Sequence, residues 1–350
     1  MKPDAPGLHS RADLFELEIL DGLKPLCLAE LEPLLGQDGE IFKSSDEDRI
    51  AFSYAGSSNS LLSLKTAVAV FQLLYFKVPR PHIIAQGGQL LRLLEAIENL
   101  PSRESFSTFR ISAAGSDSPS FQKIKKIISQ RSGLRFDEAD GQLVIRFRRA
   151  ALKSFGWDVL LRLTPLPLSA RAWRKKNMPG ALNATIAAAM LRLLNIQEAD
   201  VVLNLMCGSG TFAAETQTIS PCKLFVGTDI ALPHLRFAKE NIGTSRISMS
   251  LVQSDARALP FSDACCSVLI ADLPWGRLIG NPESLAELYA TALREAARVC
   301  RSNGRFAVIT QENKLFDEIL KSVPGVWREQ RSLRVNQGEY RPKIYLLKRV

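Results

Sequence analysis

The sequence predicts an α/β protein whose C-terminal half forms one doubly wound, seven-stranded sheet, preceded by a smaller α+β region. Three observations carry this. Short apolar runs of strand length alternate with amphipathic helical stretches from residue 181 onward. A glycine turn, Met206-Cys207-Gly208-Ser209-Gly210-Thr211, joins the apolar run 201–205 to a helix-compatible FAAETQ. Asp229, Asp255 and Asp272 then close the next three strand candidates. Open parallel sheets bind ligands beyond the carboxyl ends of their strands, so these four ends would line one crevice.

The 350 residues and 46% apolar content suit two domains or three small modules with buried cores. In the first segment, LFELEIL (14–20) alternates as a strand, Asp21-Gly22 turns, and Pro25 opens a helix through Leu35. EIFKSS and RIAFSY read as a hairpin, 61–68 as helix, VFQLLYFKV (70–78) as strand and QLLRLLEAIENL (89–100) as amphipathic helix. That β-α-β-β-α-β order is ferredoxin-like and sets a first domain at 1–100. The second module, 101–168, holds strand FSTFRIS and helix SPSFQKIKKIISQRS, with Ser118 or Ser120 as cap. Strands near 134–137 and 143–149 flank the Asp140-Gly141 turn, and WDVLLRLTPLPLS gives a further strand. Residues 169–180 form a basic connector, and 181–350 the sheet domain, with helices 181–194, 283–300 and 313–321, strand 304–310, and a closing hairpin turning at Gly338.

Charge is partitioned unevenly along these segments. Residues 1–100 hold 9 Lys+Arg against 14 Asp+Glu, residues 101–176 hold 16 against 6, and residues 177–350 hold 20 against 16. The middle segment is the expected footprint of a polyanion: Lys123, Lys125 and Lys126 form one run, Arg146 and Arg148 (with Arg149) a second, and Arg171, Arg174, Lys175 and Lys176 a third. Trp173, among the last of these, either stacks on a nucleotide or packs between domains. The bland alternative for the middle module is an α/β oligomerisation unit.

The chemistry concentrates in VLIADLPWG, residues 268–276. Asp272 offers a carboxylate acceptor, Pro274 biases Leu273 toward extended geometry and donates no N–H, and Trp275 presents a stacking face. A flat ring with an exocyclic amine fits between the Asp272 side chain and the Leu273 carbonyl, and such an amine must be oriented before it attacks an electrophile. Amine methylation matches that requirement. Gly208, Gly210 and Ala213 also satisfy the G-x-G-x-x-A form of a dinucleotide fingerprint, with Asp229 where the ribose acid belongs. Asp255, placed to accept from an adenine amino group beside the Ala256 N–H, and the quartet at Asp272 decide against a nicotinamide or flavin reading.

These residues resemble the Rossmann-like class I S-adenosylmethionine-dependent methyltransferases, and most closely the THUMP-containing tRNA and rRNA guanine-N2 group. NLMCGSGTFAAE (204–215) is similar to that family's first motif, MPGALNATIAAAML (178–191) to the segment that precedes its catalytic domain, and ADLPWG to its fourth motif. The resemblance implies a THUMP domain over 101–168 that engages the 3′ CCA end of tRNA. It implies a cofactor set of Asn204, Met206, Cys207, Gly208, Ser209, Gly210, Thr211, Asp229, Ile230, Asp255, Ala256 and Asp272, with Asp229 on the ribose and Asp255 and Ala256 on the adenine. Asp272, Leu273, Pro274 and Trp275 would hold the target base. The chain departs from the family pattern at Asn204, usually Asp, at Leu205 and Leu273, usually Pro, and at Ala184, often Pro.

The expected activity is therefore methyl transfer from S-adenosylmethionine to guanine N2 in tRNA, by a cytoplasmic monomer without metal. The alternatives are an rRNA guanine-N2 or adenine-N6 methyltransferase, or a non-catalytic RNA-binding subunit with a degenerate domain. Six cysteines form no C-x-x-C pair and, with only three histidines, no ligand spacing. Reduced thiols fit a cytoplasm. The first thirty residues carry acids and no continuous apolar core, so no secretory signal is expected, and no eighteen-residue apolar run suggests a membrane span.

Overall fold

The computed structural model describes residues 12–37, 39–219, 221–245, 247–276 and 282–350. The described chain divides into two compact units, one comprising residues from 12 to 19 and 27–168, the other 20–26 and 169–350.

The first unit contains β1 (Asp13–Ile19), β2 (Arg49–Tyr54), β3 (Ala67–Phe76), β4 (Thr108–Ser112), β5 (Arg135–Phe136), β6 (Leu143–Arg149) and β7 (Trp157–Arg162). They form one sheet in the order β2-β1-β3-β7-β6-β4-β5. The hydrogen-bonded ladder runs through the expected division at residue 100, because β3 pairs antiparallel with β7 from Phe71↔Arg162 to Phe76↔Trp157. Helices α1 (Lys24–Leu35), α2 (Ser58–Leu61), α3 (Gly87–Glu98) and α4 (Pro119–Ser132) connect the strands. Gly133 ends α4 at φ 73°, the left-handed geometry that a glycine C-cap supplies without strain.

Two local expectations are corrected here. The helix expected over 61–68 stops at Leu61 and the strand already begins at Ala67. The Glu30 carboxylate accepts the Lys65 and Thr66 N–H groups at 2.9 and 2.8 Å, which removes both donors from any helix. The first arm of the expected hairpin is reduced to a bridge, Ile41↔Phe52, since the polar run from Lys43 to Asp48 has no apolar face to bury.

The second unit begins with α5 (Ala184–Leu194), whose residues from Ala184 to Leu191 are all buried. A helix apolar on every side belongs inside a core. Asn183 caps it, accepting the Thr185 N–H at 2.8 Å. There follow β8 (Val201–Leu205), α6 (Thr211–Ile219), β9 (Leu224–Asp229), α7 (Leu232–Ile242), β10 (Met249–Gln253), β11 (Cys266–Asp272), α8 (Pro282–Val299), β12 (Cys300–Thr310), α9 (Asn313–Ser322), β13 (Trp327–Arg334) and β14 (Lys343–Arg349). The order is β10-β9-β8-β11-β12-β14-β13. The first five strands are mutually parallel, and β14 is antiparallel to both its neighbours. Central strands buried on both faces read as the predominantly apolar runs VVLNL and CSVLIAD. Reversal of order beside β8 places the carboxyl ends of β8, β9, β10 and β11 around one crevice. Behind it, Leu269, Phe306, Tyr289, Phe316 and Tyr345 form the core against α8 and α9. Among the described residues no helix is long and apolar enough to cross a membrane.

Candidate active site

The crevice is a cavity of about 890 Å³, within the range of small-molecule sites. Its floor is the turn after β8. Met206, Gly208 and Gly210 have φ values of 50°, 53° and 78°, so every second residue of the turn is left-handed. A non-glycine residue held left-handed costs of order 1 kcal/mol or more and persists where the surroundings enforce it. Here the Cys207 N–H donates to the Thr228 carbonyl at 2.8 Å and the Gly208 N–H to Asp229 Oδ2 at 2.9 Å. Helix α6 starts immediately beyond, leaving its first N–H groups free of intrahelical partners.

Asp229 ends β9 and is nearly buried. Its Oδ1 accepts the Ala231 N–H at 2.9 Å and lies 3.1 Å from His234 Nδ1. These contacts fix the carboxylate in place at the cavity wall. Asp255 follows β10. Arg257 grips it through Nε at 3.1 and 3.0 Å and through a second guanidinium nitrogen at 2.7 Å, and holds its carboxyl below the usual carboxylate range. The Ala256 backbone is beside it in the lining.

Asp272 ends β11 on the same cavity, half-buried, with no cation in salt-bridge reach among the described residues. Desolvation alone pushes its carboxyl up to about 7. The following backbone is anchored residue by residue. The Leu273 N–H donates to the Ile309 carbonyl at 3.0 Å, the Tyr289 hydroxyl donates to the Pro274 carbonyl at 2.6 Å, and the Gly276 N–H donates to Glu312 Oε1 at 3.0 Å. Tyr289 is itself buried and lies 2.8 Å from Thr310 Oγ1. Trp275 packs against Tyr340, ring centroids 5.2 Å apart and tilted by 49°.

The cavity thus gathers Met206, Cys207, Gly208, Ser209, Thr211, Asp229, Ile230, Asp255, Ala256 and Asp272 to Trp275. Two expected cofactor residues are absent from its lining. Asn204 is completely buried within β8, its amide donating to the Leu205 and Ile270 carbonyls at 3.1 Å each, so it joins strands and does not face the cavity. Gly210 faces α7: a Cβ there would lie 2.9 Å from Ala238 Cβ, so the glycine serves close packing of α6 and α7.

The basic set needs larger correction. Lys125 is buried with its ammonium 4.5 Å from the Phe136 ring centroid. Arg148 is held in the sheet by Glu16 and Asp158, and Arg146 donates to Glu18 at 2.9 Å while stacking over Phe71. Arg171 is buried against Glu215 at 2.9 Å, and Trp173 donates its indole N–H to the same carboxylate at 2.7 Å. Arg174 donates to the Leu182 carbonyl at 2.8 Å and to Thr211 Oγ1 at 3.2 Å. These cations neutralise or brace the protein's own groups. Lys123, Lys126, Lys175 and Lys176 are exposed.

Several lining residues were not expected from the sequence. Met178, Pro179, Gly180, Ala181 and Leu182 form a wall, and Pro233, His234, Phe237 and Leu288 contribute others. The segment 171–182 reaches this position through its bonds to α6 and through Asn241, which accepts the Lys176 N–H at 2.8 Å and donates to the Lys176 and Ser209 carbonyls at 2.9 Å. The signal available was MPGAL itself, already singled out as family-like.

Comparison with known proteins agrees with this geometry. A family model described as UPF0020, the RMKL-like methyltransferase domain, matches residues 171–343. A tRNA (guanine(6)-N(2))-methyltransferase THUMP3 of Mus musculus is 30% identical over 225 residues, covering 57% of this chain and 45% of that protein. The chain thus spans less than half the length of such mammalian relatives. A tRNA (guanine(6)-N2)-methyltransferase of Thermus thermophilus is 27% identical over 341 residues, 94% of this chain and 97% of that one. The crystal structure of TrmN from Thermus thermophilus matches with a TM-score of 0.74 at 25% identity, covering 96% and 99% of the two chains.

Proposed function

We propose, from the match of residues 171–343 to the UPF0020 methyltransferase domain model, that this chain methylates the exocyclic N2 of a guanosine in tRNA. The carrying observation is Asp272: a desolvated carboxyl with no cation partner among the described residues, on the same cavity as the glycine turn, Asp229 and Asp255. The names of the relatives support tRNA as substrate and guanine 6 as position. A THUMP region over 101–168 would then engage the tRNA, and the reaction would be cytoplasmic and carried out by a monomer.

The cavity suits S-adenosylmethionine. Ser209 Oγ is buried without a hydrogen-bond partner among the described residues, although Ser209 lines the cavity, so a donor is free for an acceptor such as the cofactor carboxylate. Asp229 would take the ribose hydroxyls and Asp255 with Ala256 the adenine edge, with Met206, Cys207, Gly208, Thr211 and Ile230 around them. When bound, the cofactor supplies an activated methyl. The remaining work is positioning. Asp272 and the Leu273 carbonyl accept the two amine N–H groups and turn the nitrogen lone pair out of conjugation. Trp275 and Pro274 clamp the ring. The Asp272 carboxylate stabilises the positive charge that grows on nitrogen and, with a pKa near neutrality, accepts the released proton.

Incubation of purified protein with tRNA and S-adenosylmethionine, followed by nucleoside mass spectrometry, tests this reading. N2-methylguanosine is expected, and its absence, or N6-methyladenosine in its place, overturns it.

A further inference from the structure

We infer that the turn between β13 and β14, with Tyr340, Arg334 and Arg341, is a shelf that binds the RNA nucleotide next to the target guanosine. The inference rests on the proposed function and extends the substrate site beyond the cavity.

The register fixes where this turn lies. Thr310 at the end of β12 pairs with Lys343, and Lys343 pairs with Arg334, while Ile309 pairs with Asp272. The turn therefore emerges at the same sheet end as the target-base quartet. It is also well anchored. Gln337 and Tyr340 exchange backbone hydrogen bonds at 2.9 and 3.1 Å across Gly338 (φ 62°), and the Val335 N–H donates to the Pro342 carbonyl at 3.0 Å. The Arg341 N–H donates to Gln311 Oε1 at 2.9 Å, and Asn336 is bonded to Asp21 by both backbone and side chain. A fixed aromatic ring is a better stacking platform than a mobile one, because no ordering entropy remains to be lost on binding.

Tyr340 leans one face on Trp275, at a spacing that leaves no room for a third ring between them. The ring is nevertheless 39% exposed, so part of it remains open to a ligand. Around it the charge is one-sided. From 330 to 343, Arg331, Arg334 and Arg341 are exposed and make no ion pair among the described residues, whereas the sole acid is Glu339 and Lys343 is already paired with Asp317. An exposed aromatic beside unpaired guanidinium groups fits a base with its phosphate, and stacking of this kind tolerates any base. Because the target base is clamped by Trp275, the ring behind Trp275 meets the adjoining nucleotide of a splayed strand.

The test measures binding of fluorescein-labelled tRNA transcripts by anisotropy, S-adenosylmethionine affinity by calorimetry, and initial methylation rates. Tyr340→Ala should weaken tRNA binding and raise the tRNA KM by about tenfold, within the range for one lost base stack. Cofactor affinity should be unchanged, and Tyr340→Phe should restore tRNA binding. Arg341→Gln, at a side chain with no hydrogen bond or ion pair among the described residues, should lower the salt dependence of binding by about one phosphate contact. Normal tRNA affinity in both Tyr340→Ala and Arg341→Gln overturns the shelf. So does a Tyr340→Ala protein that loses cofactor affinity in parallel, since the ring would then act only as a brace for Trp275. A wild type that binds tRNA yet yields no N2-methylguanosine counts against the proposed function and leaves the binding measurements to decide the shelf.

Discussion

In the N-terminal sheet, Glu16 and Asp158 close on Arg148, and Glu18 on Arg146, so acid and base cancel inside the fold. Burial still lifts the Asp158 carboxyl, and only the Ala151 N–H and Arg148 pull it back. In the C-terminal sheet the acids stand at strand ends facing a cavity. Among the described residues Asp272 has no cation to offset its desolvation, which lifts its carboxyl toward neutrality and leaves it acceptor capacity. The contrast shows that the charge of a segment says little about its partners until the internal pairs are subtracted. A region of sixteen cations against six acids keeps much of its charge for itself, while of the three strand-end acids Asp255 is paired with Arg257, Asp229 is held by backbone N–H groups, and Asp272 keeps acceptor capacity toward the cavity.

The strongest way to break this contrast is to remove an internal cation. Arg171→Ala leaves the buried Glu215 without its guanidinium partner, held only by the Trp173 indole N–H, which should cost about 3 kcal/mol of stability in urea melts. An unchanged midpoint together with weakened tRNA binding would return Arg171 to the RNA surface. Asp272→Ala should next lower kcat roughly 10²–10³-fold while cofactor affinity by calorimetry stays within about threefold, as expected of a group that acts on the amine alone.

The pH dependence sharpens the same point. With a folded pKa of about 7, the Asp272 carboxylate is lost below neutrality, so kcat should fall about tenfold per pH unit there and level off above. The linkage has a definite sign. Between the ordinary carboxylate pKa of about 4 and the folded value the native chain binds the extra proton, so stability declines as pH rises through that window. Asp272→Asn should therefore raise Tm at pH 8 and lose that gain below about pH 4. A variant no more stable at pH 8 than the wild type would show that the carboxyl is well solvated.

Tyr289→Phe deletes one hydroxyl that holds the Pro274 carbonyl and should lower kcat about fivefold, the effect of one neutral hydrogen bond, without moving the cofactor Kd. The smallest effect separates two neighbours on α4. Lys126→Glu should raise the tRNA Kd about two- to threefold with a lower salt slope, while Lys125→Met should leave that slope alone, because one ammonium is exposed and the other lies over Phe136.

Much of the fold was legible because its signals are local. Val201–Leu205, the glycine turn and Cys266–Asp272 announce strand, turn and strand through apolar runs and punctuation within a few residues. The helix expected over 61–68 failed for the opposite reason: the carboxylate that diverts Thr66 comes from Glu30, 36 positions earlier. Arg148 looked like a surface cation because its partner Glu16 lies 132 positions away. Tyr289 and Tyr340 give no motif at all, since their roles arise where α8 and the β13–β14 turn meet the backbone after Asp272.

The chain by itself determined the parallel sheet, the glycine turn, and the acids at its strand ends, since periodicity and turn chemistry are properties of neighbours in sequence. Only the tertiary structure decided that Asn204 and Gly210 serve packing, that Met178 to Leu182 close the cavity, and which cations remain available to a polyanion. Burial and ion pairing depend on what is brought alongside from far along the chain, and it is desolvation, which no single residue carries, that sets the state of Asp272.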